Sequence, residues 1–226
     1  MSIVIKAPSG GGSISIDTQQ SVTGNHTLQL PTGVGSANQI LRNGSTAGTL
    51  EFGSLVSSNM PTGSILQVRG TYVDTTDSQA ITAGTRAEIS GLSVSITPTT
   101  LTSNMLIFVR WNGEYNSNNN YDAIYGLRRD STDLGHQPSV GTNRAAGMQV
   151  AAQGFYTNNA DSTCDSANWF YLDEEDRTSS GQITYKATYM HGAVNGTLFN
   201  QRTVGDIDGA TRERPTSSIV VMEVAA

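Results

Sequence analysis

Three kinds of residue in this sequence could carry chemistry: glycines spaced as in phosphate loops, clustered carboxylates, and histidines or a thiol. The glycines stand in "TGVGSANQILRNGSTAGTLEFG", residues 32 to 53, where Gly33 and Gly35 suggest a cradle for a phosphate. Such a loop needs G-x-x-x-x-G-K-[ST], with lysine on the phosphates and a helix N-terminus behind it. Here Ser36-Ala37-Asn38-Gln39 follows, with no lysine and a strand pattern in place of a helix. The dinucleotide form G-x-G-x-x-G fails too, because residue 38 is Asn. These glycines read as turns between short strands.

Carboxylates cluster at Asp173-Glu174-Glu175-Asp176, at Asp206 and Asp208, and at Asp161 with Asp165. Four adjacent carboxylates read first as a solvated loop. Calcium is the alternative, but no stretch fits the D-x-[DN]-x-[DN]-G pattern. A glycoside hydrolase needs two carboxylates at a defined separation; Glu114 with the 173 to 176 run, meeting across subunits, is the pair on offer. His26, His136 and His191 are far apart and sit in no hydrolytic motif. A metal on three copies of one histidine about a threefold axis is possible in principle, with no H-x-H pair to support it. Cys164 lies among Thr and Asp with no cation to activate it. The sequence thus names no catalytic residue, no metal site and no cofactor.

One stretch suggests recognition. In "RWNGEYNSNNNYDAIYG", residues 110 to 126, aromatics alternate with Asn, Ser and Gly. That mixture suits a glycan or protein surface through stacking and adaptable hydrogen bonds. Trp111 and Tyr125 read as core, whereas Tyr115, Asn118, Asn119 and Tyr121 are the candidate receptor contacts.

The elements that must position these residues are strands. Only 14% of residues are charged, and Ser, Thr, Asn and Gly dominate the polar set. No window supplies the Ala, Leu, Glu, Lys and Arg of long helices, so the fold class is all-β. The net charge of −6, with lysine only at Lys6 and Lys186, gives no basic stripe for nucleic acid. No apolar run approaches the roughly 20 residues that span a bilayer, so membrane insertion is not expected. A single cysteine excludes an intrachain disulfide, and the start lacks a signal-peptide core. A soluble protein made in a cytoplasm, whatever its final location, follows as the expectation.

Two regions emerge. Residues 1–62 alternate strictly over short strands at Ile3 to Lys6, Ser13 to Ile16, Thr27 to Leu30, Gln39 to Arg42 and Thr49 to Phe52. Asn43-Gly44 reads as a tight-turn pair. Phe52 is the only aromatic of this region, which can bury too little to order itself alone, so it should pair with copies of itself. Residues 63–226 carry longer strands: Ile65 to Val73, Ala87 to Ile96, Met105 to Tyr115, Asp122 to Arg129, Ala145 to Phe155, Asn168 to Leu172, Ile183 to Met190, Thr197 to Gln201 and Ser218 to Val224. Such spacing predicts a jelly-roll sandwich. Met105 to Trp111 is apolar on nearly both faces and should be central. The terminal strand is similar, so Val220, Met222 and Val224 are the candidate contacts to a neighbouring subunit.

With these residues in view, the sequence resembles virion fibre proteins of tailed phages, cyanophages especially. The likeness rests on "HTLQLPTGVGSANQILRNGSTAGTLEFG" at 26 to 53, "GSILQV" at 63 to 68, "ISGLSVSITPTTLTSNMLIFV" at 89 to 109, "YGLRRDST" at 125 to 132 and "SSIVVMEVAA" at 217 to 226. The resemblance implies a homotrimer in which extended N-terminal segments wind together and C-terminal jelly rolls, like complement C1q and tumour-necrosis-factor heads, pack about a threefold axis. It implies attachment to a virion tail baseplate or capsid at one end and contact with a host-surface glycan or protein at the other. It supplies no catalytic residues. The short-strand region follows Met1 directly, without a large adaptor domain, which leaves both tail and capsid as the base. The expected function is a tail fibre; the alternatives are a capsid-attached decoration fibre and, third, a polysaccharide depolymerase.

Overall fold

The computed structural model describes the backbone of residues 3–6 and 13–16, and residues 28–116, 122–136, 144–150, 163–175, 177–210 and 212–226 in full. The chain forms two compact units, Met1–Val56 and Ser57–Ala226. That boundary lies a few residues before the sequence-based one, because Ser57 to Ser64 already belongs with the larger unit. Gly63 donates to Ala225 O at 2.8 Å, and Ala225 donates back to Ser64 O at 2.9 Å.

In the first unit β1 (Ile3–Lys6) pairs antiparallel with β2 (Ser13–Ile16), and β3 (Gln39–Asn43) with β4 (Leu50–Ser54). The expected strand at 27 to 30 is reduced, in its described part, to one parallel bridge between Gln29 and Thr49. The expected Asn43-Gly44 tight turn is corrected. Asn43 is the last residue of β3, opposite Leu50. The connection is a longer loop closed by Gly44 N to Thr49 O at 2.9 Å, with its left-handed position at Gly48, φ +81°. Gly35 answers the phosphate question. Its φ is +73°, and a Cβ there would lie 2.7 Å from the Phe52 ring, so glycine lets that ring lie against the turn.

The second unit is a sandwich of two antiparallel sheets. One runs β5 (Ile65–Val73), β15 (Ser217–Val224), β8 (Asn104–Tyr115), β14 (Gly196–Asn200), β6 (Asp77–Ile81), with β12 (Asp165–Asp173) also on β8. The other runs β10 (Thr132–Leu134), β9 (Ala123–Arg129), β13 (Ile183–His191), β7 (Ala87–Ile96), with β11 (Gln149–Val150) on β9. β8 is central, as its two apolar faces require. β12 covers residues 105 to 113 of one edge, which leaves β15 on 104 to 110 and β14 on 113 to 115 to share the other. Where those two meet, Asn112 N donates to Ser217 Oγ at 3.0 Å and Gln201 N to Asn112 O at 2.9 Å.

Period-two alternation drives the core. Met105, Ile107, Val109 and Trp111 of β8 face inward with Ile219 and Val221 of β15. They meet Leu92, Val94 and Ile96 of β7, Tyr185 and Tyr189 of β13, and Tyr125 and Leu127 of β9. Tyr125 is the aromatic hub, 5.2 Å from Trp111, 5.4 Å from Trp169 and 5.2 Å from Tyr189 between ring centroids. Trp111 and Tyr125 are core residues, as their sequence context indicates.

Candidate binding face of the six-stranded sheet

Alternation that sends one set of side chains inward sends the other set out, and on this sheet the outward set is also apolar. The strand registers build three cross-sheet rows. The first is Leu172, Leu106, Met222 and Val68; the second is Phe170, Phe108, Val220 and Gly70; the third is Asn168, Arg110, Ser218 and Tyr72. Two rows are apolar and the third is polar with an aromatic end.

Four strands at about 4.8 Å spacing make each row about 15 Å wide. Phe170 is 68% exposed and Phe108 44%, with ring centroids 6.2 Å apart. A shallow hollow of about 280 Å³ opens between Phe108, Phe170, Arg110, Asn168, Ser218 and Val220. Gly70 keeps the second row low, since a Cβ there would lie 3.3 Å from Val220. Contiguous apolar surface of this kind, rimmed by polar groups, marks an interaction site more often than a free surface.

Val220, Met222 and Val224 lie on this outward face, half-buried and alternating with the buried Ile219, Val221 and Glu223. Phe108, Phe170, Leu172, Val68 and Tyr72 join them without having been singled out from the sequence. Phe170 was legible only as part of an apolar strand, because its neighbours Trp169 and Tyr171 are aromatic too and the inward residue cannot be chosen without the register.

The proposed receptor residues divide. Tyr115 is corrected: it is 4% exposed and donates its hydroxyl to Val194 O at 2.9 Å. Its ring stacks on His191 at 4.9 Å and meets Tyr189 at 5.5 Å. It is the last inward position of β8, and burial raises its hydroxyl pKa. Asn118, Asn119 and Tyr121 lie outside the described residues. The connection that contains them leaves β8 at Asn116 and returns at Asp122.

Two of the candidate carboxylates, Asp173 and Glu114, are spent internally, while Glu174 and Glu175 are exposed as a solvated loop would have them. Asp173, expected in a solvated loop, is 2% exposed at the end of β12. Arg129 Nη1 contacts both its oxygens at 2.9 Å, and the Tyr185 hydroxyl donates to Oδ2 at 2.6 Å. Burial and that bond to a carboxylate push the Tyr185 pKa well up. Glu114 is buried and accepts Val204 N at 2.7 Å. Asp173 pairs with Met105 and Glu114 follows Gly113 at the far end of β8, about 30 Å away at strand rise. Within one chain they cannot share a glycosidic bond.

Glu223, an inward position of β15, is fully buried. Its Oε1 accepts Ser103 Oγ at 2.6 Å, Thr99 N at 2.7 Å and Thr99 Oγ1 at 2.9 Å, while Gln67 Nε2 reaches Oε2 at 2.6 Å. Burial raises its pKa, but the bonds from Ser103, Gln67 and Thr99 outweigh this and hold it below the ordinary carboxylate value. Burial and the charges of Glu114 and Asp165 push the Cys164 thiol up to about 12, the reverse of an activated nucleophile. His191 Nδ1 accepts the amides of Ala193 at 3.2 Å and Val194 at 3.1 Å, a turn-holding role. Among the described residues no three His, Cys, Asp or Glu side chains are grouped to hold a metal ion. The sequence matches no protein-family model and no curated protein.

Proposed function

We propose that this chain is a trimeric structural fibre protein of a tailed-phage virion, a tail fibre whose C-terminal sandwich meets the host surface and which performs no catalysis. The two apolar rows on the outer face of the six-stranded sheet carry the reading. A folded chain does not leave Phe170, Phe108, Leu172 and Val68 exposed together without a partner to cover them. A second and third copy of the same chain are the economical cover, because closed symmetry satisfies every copy alike.

The strand order supports the jelly-roll form of the sandwich, with β5-β15-β8-β12 laid over β7-β13-β9-β10. Polarity of the unit supports the division of labour. Ser64, just before β5, is hydrogen-bonded to Ala225, so β5 starts at the end where β15 finishes, the end we take as the base. The connections after Tyr115, His191 and Asn200 leave from the opposite end, which suits them to a host glycan or protein.

Light scattering on the purified chain tests the assembly. The expected mass is three times the 23.9 kDa chain. A monodisperse single-chain mass would overturn the reading. Capture of a baseplate protein by the N-terminal segment is the result expected for a tail fibre; capture of a capsid protein would move the same trimer to the capsid surface.

A further inference from the structure

Arg86, just before β7, lies across the outer face of the five-stranded sheet with its side chain only 7% exposed. Its Nη1 donates to Thr188 Oγ1 at 3.1 Å, and its Nη2 donates to the carbonyl of Ala146. Its Nε stands 3.6 Å from Asp133 Oδ2. The sheet accommodates the guanidinium because residue 126 is glycine; a Cβ there would lie 2.7 Å from Nη1. One side chain thus ties together β13, β10 and the segment that leads into β11. Immediately downstream Met148 N donates to Tyr125 O at 2.8 Å, and Gln149 and Val150 pair with β9.

His136, two residues after β10, is within electrostatic reach of this guanidinium. A Cβ on Gly135 just before it would run into the Met148 side chain, and the His136 Nε2 is buried without a hydrogen-bond partner. The charged groups that face it are Arg86 before β7, Arg128 of β9 and Asp133 of β10. Asp133 is already shared: Oδ1 accepts Arg128 Nε at 2.7 Å while Oδ2 faces Arg86.

We propose that Arg86 is an acid-released strap, and that protonation of His136 breaks its tether to Ala146 and loosens β11 from the sheet. A charged imidazole would be a further cation beside two guanidiniums that share Asp133, of which Arg128 alone has a second carboxylate, Glu88, in a place partly shut off from water. The strap's bond to the Ala146 carbonyl has no opposing charge behind it and is the one to yield. The sign follows from burial and from Arg86, which both lower the His136 pKa in the strapped state. The strapped state therefore binds fewer protons than the released one. Its stability is complete above the ordinary histidine value of about 6.5 and is lost as pH falls below it.

Hydrogen–deuterium exchange of the full chain at about pH 7.5 and about pH 5.5 tests this, each rate divided by the intrinsic rate at that pH. The expected result is a roughly tenfold loss of protection at the Met148 amide at the lower pH, while amides pairing β13 with β7 keep theirs. His136→Gln should hold Met148 protected at both values, and Arg86→Gln should leave it weakly protected at both. Equal protection at the two pH values in the unsubstituted protein overturns the proposal. So does a pH response that survives in His136→Gln, a variant that decides the matter even if Arg86→Gln fails to fold.

Discussion

Glu223 is a charged residue at a core position, and its stability rests on how many donors converge on it. Serine, threonine, glutamine and backbone groups from β5 and the segment before β8 all end at this one carboxylate. Replacing it with glutamine turns one of its two acceptor oxygens into a donor that faces donors, which should cost about 2 kcal/mol in unfolding free energy, measured by urea denaturation at neutral pH. Its lowered pKa sets the acid behaviour. The unfolded carboxylate, near 4.3, binds a proton before the folded one does, so stability contributed by Glu223 is present above about pH 4.3 and is lost as pH falls toward the folded value. Glu223→Gln should flatten that part of the stability–pH curve; a variant as acid-sensitive as the parent would refute the assignment. Sequence gave little warning of this scale. Asp173 looked like surface because three acidic neighbours follow it, yet it ends a strand inward, where Arg129 and Tyr185 come from a different sheet. Tyr115 looked like surface because of the asparagines beyond it, although strand parity with Trp111 already pointed it inward.

At the scale of the strand, alternation was a dependable guide for seven strands. The strand expected from Ala145 to Phe155 is instead, in its described part, only β11, Gln149–Val150, and residues 151–155 lie outside the described residues. β5 and β7 begin and end where the sequence places them, and β8, β9, β13, β14 and β15 do so within a residue at either end. β12 runs longer than expected, from Asp165 to Asp173, because pairing with β8 continues through Ser166 and Ala167, which have no strand preference of their own. β6, "DSQAI", and β10, "TDL", were missed because they are short and polar and exist only by pairing with β14 and β9. What alternation could not say is which of two apolar faces is the core. The answer yields a prediction: Phe170→Asp or Val220→Asp should leave the melting cooperative and the monomer folded, while weakening self-association about tenfold or more in sedimentation equilibrium. Ile219→Asp, one residue away but inward, should instead prevent folding. Equal effects from both classes would mean that the outer face has no partner.

For the whole molecule, the two units differ in how they can be held together. The larger unit has an aromatic core shared by both sheets. The smaller offers two short two-stranded pairings, β1–β2 and β3–β4, the second with Ile40 and Leu41 exposed on opposite faces, together with Leu28, Leu30 and Val34. A lone two-stranded hairpin is marginal in water. Its order should therefore depend on assembly, and the melting temperature of the full chain should rise with protein concentration. A midpoint constant over a hundredfold dilution would argue for a stable single chain. The division at the end of the short-strand region was legible because aromatic content changes abruptly there. The proposed assembly rests, on the sequence side, only on a deficit of core in this region.

The hydrogen bonds that join Ser64 to Ala225 have a mechanical consequence. They bring the incoming chain and the C-terminus to the same end, with β5 and β15 lying side by side and antiparallel. A load applied between that end and the distal connections runs along the strands, so the β5–β15 ladder is sheared with all its bonds bearing at once. It is not peeled open one bond at a time. The larger unit is thus oriented to resist a pull along its strands, and bulk attached at Ala226 would crowd the point where the load enters.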